Sequence, residues 1–207
     1  MKKITAYYLI SVLLLFASCS RRPKRVHSPK IDPKQAGEGA IAQYDQDADG
    51  KLSKAELQAC PGILTKLDLC DKDADEAVTA EEITGRIAEW QKTRVGVLSV
   101  SCRVRLSGKP LAGAEVKLEP ETFLGEAVKA AAGTTDAYGT AQLTIPADQL
   151  PEDQQDLDGV HLGIFKVRIT HPTRKLSPKY NTQSTLGCEI DHRDQWNGIK
   201  FELSGRS

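Results

Sequence analysis

From Asp45 to Glu56 the chain reads Asp-Gln-Asp-Ala-Asp-Gly-Lys-Leu-Ser-Lys-Ala-Glu, alternating carboxylates closed by a glutamate. Hard oxygen donors at this spacing suit a calcium ion, which takes about 6–8 oxygens at roughly 2.3–2.6 Å and needs a sharply turning chain around it. Asp45, Asp47 and Asp49 supply carboxylates, Lys51 a backbone carbonyl, Ser53 a hydroxyl acting directly or through water, and Glu56 both side-chain oxygens. Gly50 stands where the turn requires a positive φ. Leu52 is apolar, as expected of a residue facing a second loop. The pattern returns from Asp71 to Glu82. Asp71, Asp73 and Asp75 repeat the aspartates, Ala77 offers the carbonyl, Thr79 the hydroxyl and Glu82 the closing carboxylate, with Val78 in the place of Leu52. One position departs: Glu76 replaces the glycine, and a side chain in the left-handed region costs on the order of 1 kcal/mol. Both loops are expected to take Ca²⁺, the second more weakly.

The elements that must hold these loops are short. Only fourteen residues, Leu57 to Cys70, separate them, and Pro61-Gly62 divides an outgoing helix from an incoming one. Leu57, Ile63, Leu64, Leu67, Ile83, Ile87 and Trp90 can form a small shared core. Over residues 41–84 the arrangement resembles the compact EF-hand pairs of bacterial exported proteins. It is also similar to dockerins, the calcium-folded adaptors of enzyme complexes. The first resemblance implies a permanently loaded structural ion, the second a protein partner recruited by the pair. Without a cation the carboxylates of each loop repel; with one they become ligands and binding adds to folding stability.

The charge pattern fits this reading. The chain has 207 residues with 28 Lys+Arg against 28 Asp+Glu, a balance that excludes a nucleic-acid binder held by overall basicity. The balance hides a segregation: Ser20–Ala36 carries six bases and one acid, Gly37–Glu89 thirteen acids and five bases.

After Lys92 the apolar period changes from helical to two. Val100, Cys102, Val104 and Leu106 share one face, and Val95 and Val97 have the opposite parity, which predicts a bulge or a domain entry near Leu98. Further strands are expected at Ala114/Val116/Leu118, Ala141/Leu143/Ile145, Phe165/Val167/Ile169, Leu186/Cys188/Ile190 and Ile199/Phe201/Leu203, making an antiparallel β-sandwich. The run Gly108-Lys109-Pro110-Leu111-Ala112-Gly113-Ala114-Glu115-Val116-Lys117-Leu118, followed by Thr135-Asp136-Ala137-Tyr138-Gly139-Thr140-Ala141, resembles the carboxypeptidase-regulatory, transthyretin-like (prealbumin-like) module of bacterial surface proteins. Gly163-Ile164-Phe165-Lys166-Val167-Arg168-Ile169 and Lys179-Tyr180-Asn181-Thr182 are similar to its exported planctomycete-type versions. The family is mostly structural or adhesive. Two enzyme families of similar fold differ at their defining residues: hydroxyisourate hydrolases end in Tyr-Arg-Gly-Ser, against Leu203-Ser204-Gly205-Arg206-Ser207 here. Intradiol dioxygenases need a His-x-His pair that His161, His171 and His192 do not provide. No catalytic residue is expected.

The N-terminus carries an address. Met1-Lys2-Lys3, the apolar run Ile4–Phe16 and Phe16-Ala17-Ser18-Cys19 resemble a bacterial lipoprotein signal, which implies a lipid on Cys19 and anchoring to a membrane. The apolar run is too short for a stable span. Export to the periplasm or the outer membrane and cell surface follows from that resemblance. The expected organisation is α+β and multidomain: signal peptide 1–18, a basic Pro-rich tether 19–36, the EF-hand pair 37–92 and the sandwich 93–204. Four cysteines remain besides Cys19. In an oxidising compartment two disulfides within domains are favoured, Cys60 with Cys70 and Cys102 with Cys188, and buried free thiols are the other reading.

Overall fold

The computed structural model describes residues 27–205 and is α+β. The signal segment, Cys19 and the tether as far as residue 26 lie outside the described residues. The chain enters through α1 (Pro33–Tyr44), which begins inside the stretch expected to be tether. Asp32 caps it, its Oδ1 accepting the N–H groups of Lys34 and Gln35 at 3.0 Å each, and Pro33 takes the first helical position. An Asp-Pro pair read as spacer chemistry is a helix start when an apolar face follows, here Ala36, Ala40 and Tyr44. Ile31, also within the stretch expected to be tether, is already buried.

The first acidic loop runs into β1 (Lys51–Ser53) and one 3₁₀ turn, Glu56–Gln58. Pro61 then opens α2 (Pro61–Leu64), and α3 (Leu67–Cys70) leads into the second loop. β2 (Ala77–Thr79) and α4 (Ala80–Thr93) follow. The outgoing helix expected after the first loop is thus a single 3₁₀ turn. Leu57, Ile63, Ile83, Ile87 and Trp90 are buried, with Leu64 and Leu67 partly so.

The remainder forms two sheets. In one, β3 (Val100–Leu106) pairs with β10 (Ile199–Leu203) on one side. On its other side β3 meets β7 (Thr140–Leu143) through Val100–Arg103 and β4 (Lys109–Pro110) through Arg105 and Leu106. The other sheet has the order β6 (Ala131–Thr134), β5 (Glu115–Pro120), β8 (Gly163–Thr170), β9 (Leu186–Ile190), antiparallel throughout. The β10–β3 ladder is parallel, so the first sheet is mixed rather than antiparallel as expected. A parallel pair needs a long connection, and β10 reaches β3 from the far end of the chain, after α5 (Asp194–Asn197). Leu98 bridges Val160 just before β3, at the predicted entry.

The helices and sheets share one apolar cluster. β9 and the start of β8 are buried on both faces because α2 covers the outer one. Two glycines allow that approach: a Cβ on Gly62 would sit 2.5 Å from Ile164 Cγ2, and one on Gly187 only 2.3 Å from Gly62 N. Cys60, Cys70, Cys102 and Cys188 are buried free thiols, so neither pairing expected from the sequence is formed here. Burial pushes the Cys70 and Cys102 thiols up to about 12. No helix among the described residues is long and apolar enough to cross a membrane.

Candidate metal centre

The two acidic loops are built by the same hydrogen bonds. Asp45 accepts from Ala48 N at 2.7 Å and Gly50 N at 3.0 Å; Asp71 accepts from Ala74 N at 2.7 Å and Glu76 N at 2.9 Å. Asp47 takes Asp49 N at 3.3 Å and Asp73 takes Asp75 N at 3.2 Å. Asp49 takes Lys51 N at 2.8 Å, and Asp75 takes Ala77 N at 3.0 Å. Ala48 and Ala74 both turn at φ 61°. Gly50 turns at φ 85° and Glu76 follows at 68°, so the second loop adopts the turn despite its side chain. β1 and β2 then pair antiparallel with Leu52 opposite Val78, both fully buried.

Each loop closes on its glutamate. Glu56 Oε1 accepts Gln46 N at 2.7 Å, and its Oε2 accepts Ser53 N at 2.8 Å and the Ser53 hydroxyl at 2.7 Å. Glu82 repeats this with Lys72 N, Thr79 N and the Thr79 hydroxyl at 2.8, 2.8 and 2.9 Å. Thr79 and Glu82 are also the capping box of α4. The Ser53 hydroxyl and the Gln46 and Ser53 N–H groups hold the Glu56 carboxyl down to about 2. Burial works upward on Glu82, but the Thr79 and Lys72 N–H groups and the Thr79 hydroxyl outweigh it and the carboxyl lies below its ordinary value.

Where oxygens converge, the loops differ. In the first, carboxylate oxygens of Asp45, Asp47 and Asp49 lie within 4.8 Å of one another. In the second the group is Asp71, Asp73 and Glu82. Asp75 is held instead by the Lys51 ammonium from across the ribbon, which keeps the Asp75 carboxyl below its usual range. Lys54 pairs with Glu76 at 2.9 Å. Two lysines of the first loop thus brace two acids of the second. That brace was not read from the sequence, although Lys51 and Lys54 facing an acid-rich loop were its signal. Hard, anionic oxygens gathered this way are the donor set of a calcium-class ion.

A second cluster escaped the sequence reading. On α4, Arg86 shares the buried face of Ile83, Ile87 and Trp90. Its guanidinium pairs with Glu189 and, at 2.9 Å, with Asp191; Trp90 Nε1 donates to Glu189 Oε1 at 2.9 Å. Tyr44 donates to Glu121 Oε2 at 2.6 Å, a second polar tie between helices and sheets. An arginine at helical spacing within an apolar stripe was the available signal for the first. Compared with protein-family models, with curated proteins and with solved structures, the chain matches none.

Proposed function

We propose that this chain is an exported calcium-binding protein in which an EF-hand pair is joined to a structural or adhesive, transthyretin-like β-sandwich. One observation carries the reading: two loops repeat each other hydrogen bond by hydrogen bond, each gathers three carboxylates, and both are joined through Leu52 and Val78. On this reading Asp45, Asp47, Asp49, the Lys51 carbonyl, Ser53 and Glu56 hold one ion. Asp71, Asp73, Asp75, the Ala77 carbonyl, Thr79 and Glu82 hold the other. The ion neutralises crowded carboxylates and adds its binding energy to the fold. A Kd of about 10⁻⁴–10⁻³ M suffices outside a cell. The N-terminal residues would deliver the chain there and lipid on Cys19 would anchor it, a proposal resting on Phe16-Ala17-Ser18-Cys19. A docking adaptor is less favoured, because the apolar faces of α1, α2 and α4 are already buried within the shared core. Calorimetric titration with calcium tests the reading. Wild type should give heat for a tighter and a weaker site, Glu56→Gln should lose the tighter and Glu82→Gln the weaker. No heat from wild type, or heat unchanged in both variants, would refute it.

A further inference from the structure

Away from the loops, a cavity of about 360 Å³ is walled by residues 27–29, 127, 129 and 148–151, with His161 and Gln154 among its lining residues. These two are polar yet only 6% and 5% exposed. His161 Nδ1 accepts the backbone N–H of Lys129 at 3.1 Å, which places the ring proton of the neutral imidazole on Nε2. Burial, with Lys129 nearby, pushes the imidazole down to about 4, so at neutral pH it remains an uncharged donor. Among the described residues Nε2, the Gln154 amide and the Lys129 ammonium have no hydrogen-bond partner. Neither buried side chain is sealed from solvent, and His161, Gln154 and Lys129 all line the cavity. A concave site with apolar walls and a few convergent polar groups is what small ligands use.

The donors select the ligand. A metal ion is disfavoured, because among the described residues the close groups of three metal-capable side chains occur only in the two loops. One ammonium and one neutral N–H suit a single negative charge shared by two oxygens. Asp148, exposed at the rim, opposes a dianion. We propose that this cavity binds a small monocarboxylate, with the His161 Nε2–H and the Lys129 ammonium on its oxygens, Gln154 beside them, and Pro29, Leu150 and Pro151 against its body. Such a carboxylate could belong to a sugar acid or to a peptide C-terminus, and the test separates them.

The experiment follows the ring nitrogens of His161 by NMR in the full chain. Glucuronate and N-acetyl-dialanine are the probes, with acetamide and inorganic phosphate as controls. The expected result is a saturable shift with at least one carboxylate, the tighter probe naming the source, and none with acetamide. Lys129→Met keeps the backbone N–H that holds the ring, and should leave the free spectrum of His161 in place while weakening binding about tenfold. No saturable shift with either carboxylate, an equal response to acetamide, tighter binding of phosphate, or undiminished affinity in Lys129→Met would overturn the proposal.

Discussion

Glu56 and Glu82 each have two partners to serve. Their oxygens accept backbone N–H groups at both ends of a loop, which holds the loop in shape, and they are the residues expected to close on an ion. An ionised carboxylate has about four lone-pair directions, and three are engaged by those two N–H groups together with the Ser53 or Thr79 hydroxyl. Other residues carry consequences of burial alone. With its folded-state value near 4 against about 6.5 unfolded, His161 favours the native state fully above pH 6.5. As pH falls from about 6.5 to 4 the unfolded chain binds the proton first, and about 3 kcal/mol of stability is lost; below 4 the loss is complete. An NMR titration should place the His161 midpoint near 4, and a midpoint near 6.5 would contradict the burial argument. At the interface, Tyr44→Phe removes the hydroxyl that donates to buried Glu121 and should cost about 1–3 kcal/mol in chemical denaturation.

The two loops are alike as elements and unequal as sites. The Lys51–Asp75 pair is partly exposed, 42% and 33%, so its worth is that of a surface ion pair weakened by solvent screening. Lys51→Met frees Asp75 and should tighten calcium at the second loop up to about fivefold in the Glu56→Gln background, read by calorimetry. Glu76→Gly removes the side chain from φ 68° and should act in the same direction. The two repeating loops were legible in the sequence because their aspartates, turn residues and closing glutamates recur at one spacing, and so were the strands with one apolar face, such as Val100/Cys102/Val104. The start of α1 was not, because Pro and Lys near a basic run read as spacer until Asp32 is seen capping. The outer face of β9 was also hidden: Gly187 and Glu189 break the apolar pattern, yet both are buried because α2, Arg86 and Trp90 come from far along the chain to meet them. The partners of charged residues in a core are long-range facts that periodicity does not carry.

Across the whole molecule, helices and sheets share one core, and the second loop opens directly into α4, which carries Arg86 to Glu189 and Asp191. The two segments expected as domains in series thus share one continuous apolar cluster among the described residues, and we expect them to unfold together. Urea denaturation followed at Trp90 and Trp196 and by far-ultraviolet circular dichroism should give coincident transitions; two separate transitions would contradict the shared core. Arg86→Met leaves buried Glu189 with only the Trp90 N–H, while Asp191 keeps Arg193 and Lys66, and should cost about 3 kcal/mol. The central claim concerns the ion itself, and anomalous diffraction from crystals grown in about 10⁻³ M calcium tests it most directly. The account predicts a calcium peak ringed by Asp45, Asp47, Asp49, the Lys51 carbonyl, Ser53 and Glu56. A loop well ordered in that map with no anomalous signal inside it would contradict the claim.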